Sequence, residues 1–444
     1  MCSFGENWPN GANEASCPFR LVLYSRLTGA ACDVLEECSR YNRRMRILLL
    51  NQYFPPDTSA TAKMAQTVVD VLSFRHDVTV LCGRPSYDPT ERRPWRLWQS
   101  EQLSRVRILR VGSTAFPRFE MTLRVLNYLS YVALAIPAAL FIRCDVVLAM
   151  TDPPFEGIVG ALVALLKRKT YVYNIRDLYP DMAVGGSIVE PGWLSRVWER
   201  MHRWALRRAK RVIVLGADMR ARIVAKGVAE SRVAVVRDGA DLPQGPSTPQ
   251  LDSEVIRAIR ADFKFVILHA GNIGFYGAWD TLLDAARMLV DDGIGLVFVG
   301  DGAQRARLQA AAAGAPSVRF LDFFPASKIP SVLAAPDLHV ITIKQGLEGV
   351  VVPSKMYGIL AAGKPIVAVA PASTDAVALG KQQGFSCSVA PEDVPGLVAL
   401  LRRLSEAPEA VERMGRAARA AATDYDRVNE LQKLAQIIEE ARQA

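Results

Sequence analysis

Met45-Arg46-Ile47-Leu48-Leu49-Leu50-Asn51-Gln52-Tyr53-Phe54-Pro55-Pro56-Asp57-Thr58-Ser59-Ala60-Thr61-Ala62 is the stretch from which the fold reads. Ile47–Leu50 is an unbroken apolar run without polar alternation, the pattern of a strand buried on both faces of a parallel sheet. Thr58, Ser59 and Thr61 then stand where a helix begins and can cap it, and the free amides of its first turn can receive an anion. Strand, loop and helix follow one another, and the unit repeats along the chain.

Further runs of the same kind are Val78–Leu81, Arg107–Val111, Val146–Met150, Tyr171–Asn174, Val212–Leu215 and Val233–Val236. The rhythm breaks at Gly239–Leu251, where Pro243, Gly245, Pro246 and Pro249 cluster. It resumes with Phe265–Leu268, Leu296–Val299, Val318–Phe320, Leu338–Ile341 and Pro365–Val369. The expected fold is α/β: two doubly wound Rossmann-like domains facing a central cleft, one over 45–243 and the other over 244–415. The tail from Pro408 is rich in Ala, Glu and Arg and reads as helical, with 416–444 placed to cross back to the first domain.

At 444 residues, with half the side chains hydrophobic, the chain is long enough for two buried cores, and its composition excludes a disordered or disulfide-stapled protein. Its net charge of +9 is uneven, with +11 over 45–244 and −2 from 245 onward. An anionic partner of the first half follows: nucleic acid, anionic lipid or a phosphorylated substrate.

Four of the seven cysteines (Cys2, Cys17, Cys32, Cys38) precede residue 44 in no zinc-like spacing, and Cys82, Cys144 and Cys387 are scattered among apolar neighbours. Reduced thiols in a cytoplasmic protein are expected, with no metal site. Residues 1–44 lack a secretory signal and any periodicity, so Met45 reads as the functional start; the alternative is a disordered leader. Leu126–Ile142 is apolar over about 17 residues, short of the ~20 a membrane span needs, and carries Asn127 and Pro137. A buried or half-buried helix is expected there, with shallow insertion at a membrane surface left open.

In such folds chemistry is read in the loops after strands. The 269–277 loop and the turn Gly300-Asp301-Gly302 supply glycines that let backbone approach a phosphate. No GxGxxG and no P-loop lysine is present, which removes support for nicotinamide and P-loop chemistry. The richest segment runs from Gly346 through Pro365. Pro353 suits a first helical turn, and Ser354 and Lys355 bring a hydroxyl and an ammonium to the same turn, a receptor suited to a diphosphate. Gly363 and Pro365 end that helix.

With these segments in hand, the chain resembles glycosyltransferase family 4 enzymes of the GT-B fold, in the branch that builds bacterial exopolysaccharide, capsule or O-antigen and includes the L-fucosamine transferases. The likeness rests on Asn51–Ala62, Arg84-Pro85-Ser86-Tyr87, Arg176-Asp177-Leu178-Tyr179-Pro180-Asp181, Gly271-Asn272-Ile273-Gly274, Val299-Gly300-Asp301-Gly302 and Gly346–Pro365, in order at matching loops. It implies an acceptor-binding first domain, a second domain that binds a nucleotide-sugar, retention of anomeric configuration, and no metal or other cofactor. Departures are visible. The second Glu of the family's Glu-x7-Glu motif is Gly358 and the first is Val350, with Glu348 the nearest substitute. The positions of the usual diphosphate-gripping Arg and Lys are Asn272 and Gly277, and the frequent cleft His is missing near Asn174–Asp177.

The assignments that follow place Gly271, Asn272, Gly274, Gly300, Gly302, Glu348, Ser354 and Lys355 around the nucleotide-sugar, with Gly274, Ser354 and Lys355 on its diphosphate and Glu348 on the sugar hydroxyls. Asp177 and Glu348 are the candidate catalytic residues; Asp57, Thr58, Arg176 and Asp181 are on the acceptor side. Trp193–Arg211 interleaves Trp193, Trp198 and Trp204 with arginines, and Arg196, Arg200, Arg203 and Arg207 share roughly one helical face. That pattern suits an anionic membrane surface at the inner face of the plasma membrane and a polyprenyl-diphosphate-linked acceptor; an ordinary solvated basic face is the competing reading. Two other functions stay open: a nucleotide-sugar 2-epimerase of the same architecture, and a basic nucleic-acid-binding protein, for which no recognised motif appears.

Overall fold

The structure, a computed structural model, describes residues 44–85, 95–103, 105–116, 120–242 and 250–443. The leader with Cys2, Cys17, Cys32 and Cys38, the Ser86-Tyr87 half of one motif, and Pro243, Gly245, Pro246 and Pro249 lie outside the described residues.

Strands β1 (Arg46–Leu50), β2 (Asp77–Gly83), β3 (Trp98–Leu103), β4 (Val106–Val111), β5 (Val146–Ala149), β6 (Thr170–Asn174), β7 (Arg211–Val214) and β8 (Val233–Val235) make one sheet. Their order is β3-β4-β2-β1-β5-β6-β7-β8, parallel except for β3 against β4. Strands β9 (Phe265–Ala270), β10 (Ile294–Val299), β11 (Val318–Leu321), β12 (Leu338–Thr342), β13 (Ile366–Val369) and β14 (Ser386–Val389) make a second, wholly parallel sheet in the order β11-β10-β9-β12-β13-β14.

β1 shows why the runs are continuous. Ile47 and Leu49 join a core with Ala65 and Val68 of the Ala60–Ser73 helix and with Leu431, Leu434 and Ile438 of the last helix, Arg427–Gln443. Leu48 and Leu50 face the opposite core, under the helices Met121–Phe141, Glu156–Lys167 and Trp193–Arg208. Every position is therefore apolar. The second core continues into Leu347, Val350, Met356 and Tyr357, so one apolar cluster runs through both domains.

The chain crosses between the domains twice, side by side. Gly239-Ala240 leads out of the first sheet, and Tyr425–Arg427 leads back: the Ala240 N–H donates to the Tyr425 carbonyl at 2.6 Å, and the Arg427 N–H to the Ala240 carbonyl at 3.0 Å. A Cβ on Gly239 would sit 2.5 Å from the Arg427 Cα, so only glycine, at φ +68°, lets the crossings lie this close. The helix Pro408–Asp424 stays on the second domain, and Arg427–Gln443 packs on the first.

Three expectations need correction. Strands β3 and β14 carry no continuous apolar run. Both are sheet edges, and β3 is half exposed or exposed at every position, so neither needs apolar side chains on both faces. The apolar helix is 21 residues, Met121–Phe141, longer than its apolar run; by length and composition it could cross a membrane. Here its Tyr131, Ala135, Ala138 and Ala139 pack on the first sheet, while Leu126 and Leu129 remain exposed. Of Thr58, Ser59 and Thr61, Ser59 is the cap, accepting from the Ala62 N–H at 3.1 Å, and Thr61 lies inside the helix.

Candidate functional site

The carboxyl ends of the two sheets face one another. Leu178, after β6, donates its N–H to the Val350 carbonyl at 3.1 Å, and a Cβ on Gly185 would meet Leu347 at 2.4 Å.

On the second domain, two glycine turns interlock. Gly271, Gly300 and Gly302 hold φ of +132°, +138° and +156°, and a Cβ on Gly300 or Gly302 would strike the carbonyls of Gly271 or Ile273 at 2.2 and 2.4 Å. The Gly271 N–H donates to Val299 and the Ile273 N–H to Asp301, both at 2.8 Å. These glycines thus bring backbone to backbone, and Asn272 is left exposed at the tip. Gly274 lies beneath the Tyr276 ring, and its carbonyl accepts from the Trp279 indole at 2.7 Å.

Ser354 is exposed at the start of the Lys355–Ala361 helix, and its side chain makes no capping bond. Lys355 turns inward: its Nζ lies 3.0 Å from His269 Nε2 and would be 3.4 Å from a Cβ on Gly271. Burial pushes its ammonium down to about 7, so binding an anion there would favour protonation. His269, wholly buried, is held well below the usual histidine range, first by burial and then by the Lys355 charge.

On the first domain, Asp177 is half-buried at the end of β6. Burial, then the charge of Asp152, raises its carboxyl to about 6. After burial, its charge also raises the Tyr276 hydroxyl of the opposite domain. Arg176 is engaged by Asp238. Asp57 is buried just after β1, with Thr58 exposed beside it. Asp181 binds Lys226 at 2.7 Å in a hollow of about 400 Å³ that also holds Arg196, Glu199 and Arg222.

Three residues without a sequence-level role clamp the domains. Arg222 donates to the carbonyls of Glu348 and, at 2.8 Å, Gly346, and lies 3.4 Å from the Glu348 carboxylate. Asp218 accepts N–H groups from Gly349 at 3.2 Å and Asp375 at 3.0 Å. Arg237 meets Asp375 at 2.9 Å. Nothing local marks them, since Asp218 and Arg222 on a short helix read as a solvated face and Arg237 as a loop charge after β8. His269, one polar residue in an apolar strand, reads as a core histidine. Gly358 is not excluded from bearing a side chain by crowding: its Cβ would meet only Leu333, at 3.6 Å.

The basic helix is divided. Arg196, Arg200 and Arg207 are exposed, whereas Arg203 pairs with Glu199 at 2.6 Å. Trp193 is 67% exposed, with Leu194, Val197 and Met201 also open. Trp198 instead packs between Phe155 and Tyr179, and Trp204 lies under Arg208. Among the described residues no group of three His, Cys, Asp or Glu side chains gathers as a metal site would.

Residues 62–239 match the family model described as "Glycosyl transferase 4-like domain", and 254–421 match "Glycosyl transferases group 1". A protein of Escherichia coli K12 assigned as the colanic acid biosynthesis glycosyl transferase WcaI is 25% identical over 379 residues, covering 81% of this chain and 92% of that protein. WbjE of Pseudomonas aeruginosa, assigned as a glycosyltransferase, is 25% identical over 267 residues, 60% of this chain and 67% of that one. Among solved structures, HepE of Anabaena in complex with UDP-glucose superposes with a TM-score of 0.62 at 19% identity, over 88% of this chain and 99% of that one. WaaG, a glycosyltransferase involved in lipopolysaccharide biosynthesis, gives 0.61 at 16% identity, over 89% and 99%. At such identities the two structures show a shared fold.

Proposed function

On the premise that the chain belongs to the glycosyltransferases built from a glycosyl transferase 4-like domain followed by a group 1 domain, in the GT-B fold, we propose that it moves a sugar from a nucleotide-sugar to a lipid-linked saccharide in bacterial surface or exopolysaccharide synthesis. The donor is a UDP-linked, N-acetylated sugar and the acceptor a polyprenyl-diphosphate-linked saccharide. Transfer retains the anomeric configuration and uses no metal, at the inner face of the plasma membrane. The retention, the sugar and the lipid rest on the family resemblance and on the relatives of polysaccharide synthesis.

The observation that carries the reading is the inward-turned Lys355 beside the Gly271 turn, which interlocks with the 300–302 turn. As the bond to the diphosphate breaks, negative charge grows on its oxygens. Lys355, the Ser354 hydroxyl and the Gly274 amide are fixed cationic and dipolar groups for that charge. Glu348 holds the sugar's hydroxyls, with Arg222 orienting it. Asp177 receives the acceptor hydroxyl's proton or stabilises the positive charge that develops on the sugar ring. Gly300, Gly302 and Asn272 line the nucleotide side, and Asp57, Thr58, Arg176 and Asp181 the acceptor side. Exposed Trp193, Leu194, Val197 and Met201 beside Arg196, Arg200 and Arg207 supply the membrane contact.

A panel of UDP-, GDP- and dTDP-sugars, tested by thermal shift and then by transfer to a polyprenyl-diphosphate-linked sugar in EDTA, examines this. Stabilisation by UDP-sugars and metal-free transfer with retention is expected. Failure of every nucleotide-sugar to bind would overturn it.

A further inference from the structure

Several cations of the first domain are spent on carboxylates. Arg176 is engaged by Asp238, Arg222 by Glu348, and Lys226 by Asp181 and Glu199. Arg124 differs. It is half-buried near the start of the Met121–Phe141 helix, and its Nε donates to the Tyr128 hydroxyl at 2.6 Å. Among the described residues no carboxylate pairs with it, and its two Nη groups have no hydrogen-bond partner. The buried Tyr128 hydroxyl, which accepts from Arg124, has no acceptor for its own proton among the described residues. A guanidinium drawn partly out of water without a counter-charge is costly until an anion completes it.

The helix brings this guanidinium to the cleft. Arg124, Tyr128, Tyr131 and Ala135 recur at spacings of three or four and share one face. Tyr131 and Ala135 pack in the core over the first sheet, Tyr128 packs with Tyr53 just after β1, and Arg124 stands one turn further on. The same helix end is tied to loops at the sheet's carboxyl edge. Gln52, after β1, donates through Nε2 to the Asn127 carbonyl at 3.4 Å, and Asn127 donates through Nδ2 to the Phe116 carbonyl, after β4, at 3.0 Å. On the outer surface of these turns Met121, Val125, Leu126 and Leu129 are exposed.

We propose that Arg124 binds the diphosphate of the lipid-linked acceptor, with Tyr128 as its positioning residue. With Nε fixed on the Tyr128 hydroxyl, the two Nη groups form a planar fork that matches a pair of phosphate oxygens, and the unspent Tyr128 proton is a further donor beside it. The exposed apolar side chains around the same helix end supply the surface that a polyprenyl chain next to its diphosphate requires. The proposal rests on the reading of the acceptor as a polyprenyl-diphosphate-linked saccharide.

The test is calorimetric titration of the full chain with UDP, and with farnesyl diphosphate in saturating UDP so that the donor's diphosphate site is already filled. In R124M farnesyl diphosphate should bind at least about tenfold more weakly, the loss expected for hydrogen bonds to a charged group. R124K, which keeps the charge without the fork, and Y128F, which removes only the hydroxyl, should fall between R124M and the wild type. UDP affinity should be unchanged in all three, a separation that a damaged fold would not produce; should R124M not fold, R124K and Y128F carry the comparison. Farnesyl diphosphate binding that is unaltered in the variants, or lost together with UDP binding, would overturn the role of Arg124 alone. So would R124M losing co-sedimentation with phosphatidylglycerol vesicles while keeping farnesyl diphosphate, which would make Arg124 a contact for bulk lipid headgroups. A wild type that binds UDP but not farnesyl diphosphate would overturn the lipid-linked acceptor itself.

Discussion

Arg222 of the first domain donates to the backbone carbonyl of Glu348 in the second and stands 3.4 Å from its carboxylate. The same carboxylate accepts the Gly346 N–H at 3.2 Å, so Glu348 is oriented both by its own loop and from across the cleft. If Glu348 holds the donor sugar, E348A should lower kcat/KM by about 10²–10³-fold and R222M by about tenfold. The double variant should be little worse than E348A alone, since residues that act together are not additive. Steady-state kinetics of the four forms gives the coupling.

Gly349 sits at φ +64° with its Cα against Asp218, where a Cβ would lie 2.5 Å from the Asp218 carbonyl. G349A should push that carbonyl away and break the N–H bond to the Asp218 carboxylate. The expected result is a more open arrangement by small-angle scattering and a 10–100-fold loss of kcat/KM, roughly the cost of misplacing groups by an ångström.

Asp177 has its carboxyl raised to about 6, chiefly by burial. A role for its ionised form makes kcat/KM climb as pH rises through about 6, and D177N should flatten that limb and cut activity at least about 100-fold. Stability runs the other way. A folded pKa above the unfolded value favours the protonated form, so stability is fullest below about pH 4 and declines as pH rises through 6. D177N should therefore melt above the wild type at pH 7–8.

Lys355 is shifted in the opposite sense, down to about 7. The unfolded chain holds this proton up to about pH 10.4 and the folded one does not, so stability grows with pH between 7 and 10 and is lost as pH falls through 7. K355M should melt higher than the wild type at pH 6, show a flatter melting profile above pH 7, and lose affinity for UDP. A variant with unchanged UDP affinity would contradict the phosphate assignment.

The exposed stripe of Trp193, Leu194, Val197 and Met201 lies beside Arg196, Arg200 and Arg207 on one helix. Co-sedimentation with vesicles rich in phosphatidylglycerol should fall by at least tenfold in R196E/R200E/R207E, at about 1 kcal/mol per charge near an anionic surface. UDP binding should be unaffected. Equal sedimentation with neutral and anionic vesicles would remove the electrostatic part of the contact.

Much of the architecture was legible because it rests on burial. Strands such as Ile47–Leu50 lie between two helical layers and must be apolar at every position, whereas β3 and β14, each with one free edge, escape that demand. Gly300 and Gly302 were legible for a related reason, since backbone packed against the Gly271 and Ile273 carbonyls leaves no room for a Cβ. The partners of the site were not legible. Arg222 lies 126 residues from Glu348, His269 lies 86 from Lys355, and Asp218 meets Gly349 from 131 residues away.

By itself the sequence determined two parallel-sheet domains and the glycine turns at their strand ends, and it supplied Lys355, Ser354, Glu348 and Asp177 as the residues of the proposed site, because hydrophobic periodicity and turn chemistry are local properties of the chain. Tertiary structure alone decided that Arg176 is engaged by Asp238, that Arg222 reaches Glu348, that Trp198 packs inward while Trp193 stays exposed, and that His269 meets Lys355. Those outcomes depend on distances between residues far apart in sequence, and charge or polarity at one position does not specify which distant partner the packed domains will bring to it.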